Sequence, residues 1–383
     1  MPPLRIYLDF NASTPIAPEV AAAMKPFLSR HFGNPSSRHW AGAPARKAVD
    51  QARRQVADLL QCRPSEIVFT SGGSEANNHA IKGIFLALKS KGSHIITTRI
   101  EHPAVLHPCR FLERLGAEIT CVGVDRYGVV DPQEIEKAIT GKTILVTVMH
   151  ANNEVGTIQP IKEISKVARR HGILLHTDAA QSVGKIDTKV DVLGVDLLSV
   201  AGHKLYAPKG VGALYIREGT PIEPFIHGAD HESGRRAGTE NVLLIVGLGK
   251  ACAIAGDFIR CEEIEHLRDR FWELLRNTFG NEVVLNGHPA LRLPNTLNVS
   301  FVDRPGGEIL SRLEGVAAST GSACHSGSVE LSPVLKAMGT APRVGMGAIR
   351  FSLGRTTTAQ EVERVVELLK KALASAGKTE CRG

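Results

Sequence analysis

Three short stretches carry side chains suited to chemistry on a small anionic ligand. In Asp196-Leu-Leu-Ser-Val-Ala-Gly-His-Lys204, an apolar run reads as a buried strand that stops at Gly202 and delivers a lysine just past its end. Desolvation at such a strand mouth lowers a lysine's pKa and frees the neutral amine that Schiff-base chemistry needs. Ser71-Gly-Gly-Ser74 separates the strand-like Ile67–Thr70 from a helical pattern. Glycines there admit close backbone approach, and first-turn N–H groups with the Ser74 hydroxyl suit a phosphate. The stretch has neither the lysine of a P-loop nor GxGxxG spacing, so nucleotides fit it poorly. His176-Thr-Asp178-Ala-Ala-Gln181 follows the apolar Ile173-Leu-Leu, which places Asp178 at a strand's carboxyl end, where open α/β sheets bind ligands.

Taken singly, these are a surface lysine, a helix cap and a second cap. Taken together, they are a phosphate cradle, a carboxylate for a ring nitrogen about a hundred residues on, and a strand-end amine. That set is what pyridoxal phosphate requires.

The surrounding pattern supplies a scaffold to position them. After a strand-like start at residues 5–9, helical patterns cover 18–31 and 41–60, joined by the polar loop Phe32-Gly-Asn-Pro-Ser-Ser-Arg38. Strands at 67–70, 94–98, 118–124, 143–149, 173–177, 196–200 and 212–216 alternate with helices through most of this region. The expected fold is α/β, with a mostly parallel sheet covered on both faces. A long helical tract over about 241–279 leads away to strands at 283–286, 295–301 and 348–353 and helices at 306–314, 332–338 and 358–374. This reads as a smaller α+β domain. The expected units are 1–255, a large cofactor-binding domain, and 256–383, with roughly the first 15 residues packing on the smaller one.

Composition narrows the classes. With 43% hydrophobic and 22% charged residues, the 383-residue chain is expected to be globular, without a membrane span or the apolar core of a signal peptide, and cytoplasmic. The net charge of +7 is dispersed among 39 acids, which argues against a nucleic-acid stripe but suits an acidic partner protein. Seven cysteines without CxxC spacing match neither a zinc site nor a disulfide framework, so no metal is expected. Cys324 alone has an unusual setting, a Gly/Ser loop with little apolar content to hold it.

The motifs in register resemble the NifS/IscS-type cysteine desulfurases among the class V enzymes that use pyridoxal phosphate. The likeness runs from Tyr7-Leu-Asp to Ile349-Arg-Phe-Ser-Leu-Gly-Arg355. It includes Phe32-Gly-Asn-Pro-Ser-Ser, Phe69-Thr-Ser-Gly-Gly-Ser-Glu, Glu101-His-Pro-Ala-Val-Leu, Asn152-Asn-Glu-Val-Gly, Gly202-His-Lys, Gly234-Arg-Arg-Ala-Gly-Thr-Glu-Asn and Gly321-Ser-Ala-Cys-His. The resemblance implies the fold-type-I transferase architecture and pyridoxal 5'-phosphate as cofactor. It implies conversion of L-cysteine to L-alanine, with the sulfur held as a persulfide on Cys324 and passed to an acceptor protein.

By the same resemblance, Lys204 carries the cofactor and moves protons, and His102 stacks on the ring as a catalytic acid/base. Asp178 pairs with the ring nitrogen and Gln181 with the ring oxygen. Gly73, Ser74 and His203 hold phosphate, joined by Thr239 from the second subunit of a homodimer. Asn153 serves both cofactor and substrate, while Arg350 and Asn34 hold the substrate. The chain departs from many relatives at Ala201, where a serine is common, at His325 beside the cysteine, and in its short C-terminal tail. A selenocysteine lyase, another class V lyase or aminotransferase, and a non-catalytic scaffold that binds the cofactor are the competing readings. Iron–sulfur assembly, tRNA thiolation, DNA phosphorothioation and cofactor biosynthesis are all outlets for the sulfur.

Overall fold

The computed structural model describes residues 5–259, 262–320 and 330–376. The strands are β1 (Ile6–Tyr7), β2 (Ile67–Thr70), β3 (His94–Thr98), β4 (Glu118–Val122), β5 (Thr143–Thr147), β6 (Leu174–Asp178), β7 (Leu197–Ala201), β8 (Gly212–Ile216), β9 (Val283–Asn286), β10 (Thr296–Phe301), β11 (Val316–Ala317) and β12 (Ala348–Ser352). Seven of them form one sheet in the order β2-β8-β7-β6-β5-β3-β4. Pairing is parallel from β7 through β6, β5 and β3 to β4, and β8 runs antiparallel to both of its neighbours. The mostly parallel sheet expected from the alternating pattern is therefore present.

The central strands are apolar because both faces are covered. β7 is buried at all five positions. One face packs a core that includes Val56, Val148, Leu198 and Leu248, and the other a core that includes Ile84, Ile95, Leu145 and Leu214. The helix Gly42–Leu60 buries Ala45, Val49, Ala52, Val56 and Leu60, a spacing of three and four that makes one stripe. That stripe meets the helix Val242–Ile259, where a Cβ on Gly249 would lie 2.5 Å from Ala52 Cα. Glycine is what allows the two helices to approach so closely.

A second core gathers Phe271, Leu275, Val299, Phe301, Phe351 and Leu369 around the antiparallel sheet β12-β10-β9. Ile6 and Leu8 belong to this core, and β1 pairs with β11, so the chain's start packs with its last third. The helical tract expected over about 241–279 is two helices, Val242–Ile259 and Glu263–Phe279. Residues 18–31 form a shorter helix than expected, Pro18–Met24, followed by a 3-10 turn at Lys25–Leu28 with Pro26 in its first turn. Proline brings no N–H, so it is tolerated at a helical start and not inside a continuing helix.

Candidate active site

Strand ends converge on a cavity of about 670 Å³, within the range of cofactor sites. Gly73, Ser74, His102, Asn153, Asp178, Gln181, His203, Lys204 and Arg350 all line it. Eight of these nine come from turns or strand ends at the carboxyl edge of the large sheet, the place that open α/β topologies reserve for ligands. Arg350 instead comes from β12 of the second sheet.

The Ser71–Gly73 turn leaves β2 and starts the helix Gly73–Leu88, whose first-turn N–H groups have no carbonyl within the helix. Gly72 has φ +149°, a value side-chain-bearing residues rarely adopt. A Cβ on Gly212 would stand 2.8 Å from Gly72 Cα and 2.4 Å from Val200 O, so the bare backbone of β8 makes room for the turn. Glu75 completes the turn by accepting from Ser71 N–H at 2.9 Å and pairing with Arg236 at 2.9 Å. Where many relatives carry a serine, Ala201 puts its methyl 3.1 Å from where a Gly73 Cβ would be.

Asp178 ends β6 with its carboxylate buried. Oδ2 accepts from Asn77 Nδ2 at 2.7 Å and Oδ1 from Ala180 N–H at 2.9 Å. Both donors are neutral, and among the described residues no cation stands within 4 Å of this carboxylate to form an ion pair. A buried carboxylate aimed into a cavity is therefore open to a cationic ring nitrogen.

Lys204 closes the 3-10 turn Gly202–Lys204 that follows β7. Its Nζ donates to Asn11 O at 2.5 Å and to Ala12 O at 2.7 Å. Burial, then the nearby Arg350 guanidinium, pulls its pKa down to about 8, while Asp9 and Asp178 act in the opposite sense. The neutral amine is thus accessible near physiological pH. His102 caps the helix Pro103–Glu113, and its Nδ1 accepts from Ala104 N–H at 3.0 Å. Burial lowers its pKa, with Lys204 and His107 adding to the effect and Asp178 opposing it. A neutral ring that accepts at Nδ1 carries its proton on Nε2. Burial likewise pushes His203 down to about 4.

Arg350 spans the two sheets. Its Nη2 pairs with Asp9 Oδ1 at 2.7 Å, its Nη1 donates to Asn153 O at 3.0 Å, and its Nε is buried without a partner. The backbone of Arg350 pairs with that of Ser319. Cys324 and His325 themselves lie outside the described residues. Thr239 is not among the residues that line the main cavity; it lines a neighbouring one of about 230 Å³ that shares Ser71 and Gly210 with it. Asn34 is exposed in its loop, its Oδ1 accepting from Ser36 N–H at 2.9 Å, and does not line the cavity.

Sequence reasoning missed Asn77, Asn11, Asp9 and Gly212, which hold the residues it did find. The one signal available was polarity in the wrong place: Asn77 sits among Ala76, Ala80 and Ile81 on the buried face of its helix. A buried amide there needs a partner, and Asp178 is that partner.

These groups fit pyridoxal phosphate: a turn that a Cβ would fill, a buried carboxylate without a cation, and an amine with lowered pKa in one cavity. The comparisons agree. Residues 6–365 match the class-V aminotransferase family. A cysteine desulfurase IscS of Dictyoglomus turgidum is 51% identical over 372 residues, covering 96% of this chain and 94% of that one. A solved NifS-like protein superposes with a TM-score of 0.91 at 38% identity, covering 97% of this chain and all of the other. SspA in complex with cysteine gives 0.81 at 41% identity, covering 91% and 98%. The chain belongs to the class-V aminotransferase family, whose cofactor is pyridoxal phosphate, and within it to the cysteine desulfurases.

Proposed function

We propose that the protein takes sulfur from L-cysteine, leaving L-alanine, and holds it as a persulfide on Cys324. The observation that carries this reading is the single cavity that joins Lys204, His102, Asp178 and Arg350. When bound, pyridoxal phosphate supplies an electron sink that makes the substrate Cα–H acidic. Asp178 would stabilise positive charge on the cofactor's ring nitrogen, and the neutral His102, with Nε2–H available as a proton donor, would hold the ring from the cavity wall. The Gly73–Ser74 turn and His203 would hold the phosphate, and Gln181 would hydrogen-bond the ring oxygen. Arg350, fixed by Asp9 and the Asn153 carbonyl, receives the substrate carboxylate through its planar fork. Asn153 supports it from the cavity wall. Lys204, as the neutral amine, takes the Cα proton and returns one to the product. The Cys324 thiolate attacks the substrate sulfur, the C–S bond breaks, and the methylene carbon takes up a proton. L-cysteine and one thiol become L-alanine and one persulfide, with no external oxidant.

The sulfur then passes to an acceptor protein, and the chain's positive charge favours one with an acidic surface. A homodimer supports the role of Thr239, because within one chain that residue faces the adjoining cavity. Asn34 remains a substrate-binding candidate through its loop. We also place the boundary between the two units near residue 255, since Ala255 belongs to the first core and Phe271 to the second. A cytoplasmic site of action accords with the lack of any helix, among the described residues, long and apolar enough to cross a membrane. Cys324→Ser tests the mechanism. The variant should keep its bound cofactor and form neither alanine nor sulfide from cysteine plus reductant. Wild-type turnover by the variant would remove Cys324 as sulfur acceptor and leave the family assignment standing.

A further inference from the structure

Beneath the cavity, and not lining it, lies a second lysine. Lys185 is half-buried, yet its Nζ end is turned inward, the reverse of a lysine that lays its stem on the protein and holds its charge in water. Nζ donates to Gln181 Oε1 at 2.9 Å and to Asn11 Oδ1 at 3.3 Å. Gln181 Nε2 in turn donates to the Asn11 carbonyl at 2.9 Å, the same oxygen that accepts from Lys204 Nζ.

We propose that Lys185 is a positioning residue that locks the Gln181 amide with its NH2 end toward the cofactor ring, making Gln181 an obligate donor. The inference rests on the cofactor reading given above. An amide has an acceptor end and a donor end; a backbone carbonyl can only accept, and Lys185 Nζ carries N–H to donate whether it is charged or neutral. With Nζ on Oε1 and the Asn11 carbonyl on Nε2, a flipped amide would give up the bond from Nζ and set oxygen against the carbonyl oxygen. One N–H of Nε2 is used by Asn11, and the other is left for the ring oxygen, whose anionic form it favours. Burial, and after it the neighbouring Lys204 and Arg350, pulls the pKa of Lys185 down to about 7.

Three variants decide the matter: Lys185→Met, which has no donor, Lys185→Gln, which keeps a donor without the charge, and Gln181→Leu. The readouts are the pH midpoint of the bound cofactor's visible absorption and the affinity of cofactor-free protein for pyridoxal phosphate. Lys185→Met and Gln181→Leu should each raise the midpoint and weaken binding by roughly tenfold, the size of one lost hydrogen bond. The double variant should be no worse than either single one, because both remove the same interaction. Lys185→Gln should keep the wild-type midpoint, and it provides a readout even where the methionine variant fails to fold. A methionine variant that melts earlier but keeps midpoint and affinity would reduce Lys185 to a structural residue. Additive losses in the double variant, or a glutamine variant shifted like the methionine one, would also overturn the proposal. Wild-type protein that takes up no cofactor would instead sink the functional reading itself.

Discussion

The reactivity of Lys204 follows from where its nitrogen sits rather than from its residue type. An ordinary lysine is protonated at neutral pH, and the cavity brings this one down to about 8 through burial and the neighbouring Arg350. Only the neutral amine attacks an aldehyde. Cofactor uptake by cofactor-free protein should therefore rise with pH to a midpoint near 8 and level off above it, as stopped-flow absorbance would record. A rate still climbing towards the ordinary lysine value of about 10.4 would show that the amine is not desolvated. Lys204 and Asp178 were legible in the sequence because each stands at the end of an apolar run. Asp9 was not, since nothing local marks a carboxylate that will meet an arginine 341 positions away.

Two features of the large sheet set how its elements serve the site. The first is the bare backbone of Gly212 at the start of β8, against which the Ser71–Gly73 turn rests. Gly212→Ala should destabilise the fold by about 1–3 kcal/mol, the usual range for an overpacked site, and weaken cofactor binding by displacing that turn. Denaturant unfolding together with cofactor titration would show both effects, and intact affinity would mean the turn does not depend on this contact. The second is His176, which bridges three strands: its Nδ1 meets Thr147 Oγ1 at 2.8 Å and its Nε2 meets Ser199 Oγ at 3.0 Å. Burial pushes its pKa down to about 3. Between that value and 6.5 the unfolded chain binds a proton that the folded one does not. The stability due to neutral His176 is thus intact above 6.5 and is lost as pH falls towards 3. The destabilisation caused by His176→Gln at pH 8 should shrink by about 2 kcal/mol at pH 5. A pH-independent difference would mean that His176 is not held neutral. The parallel strands themselves were readable as apolar runs. Their order, with β8 antiparallel between β2 and β7, was not, because hydropathy is blind to direction.

At the scale of the whole molecule, the site is assembled from both cores. Arg350 crosses from the small sheet to the carbonyl of Asn153, and Asn11 ties Lys204, Gln181 and Lys185 to Asn295 and Thr296. Thr239 remains outside this assembly within one chain, as expected if a second copy completes the cradle. Light scattering of the holoenzyme should report twice 41.2 kDa, and dilution into the monomer range should release cofactor. A monomer that retains cofactor as tightly would refute the contribution of Thr239 across an interface.

The sequence by itself determined the strand–helix alternation, the placement of the lysine, aspartate and phosphate turn at strand ends, and, through motifs in register, the family. Those are local properties: hydrophobic period, turn chemistry and short spacings are written in neighbouring residues. Only the tertiary structure decided the groups that hold the catalytic side chains, the lowered basicity of Lys204, and the amide orientation of Gln181. Each depends on burial and on partners brought together across long stretches of chain, and desolvation and hydrogen-bond pairing come into being only when the two cores close.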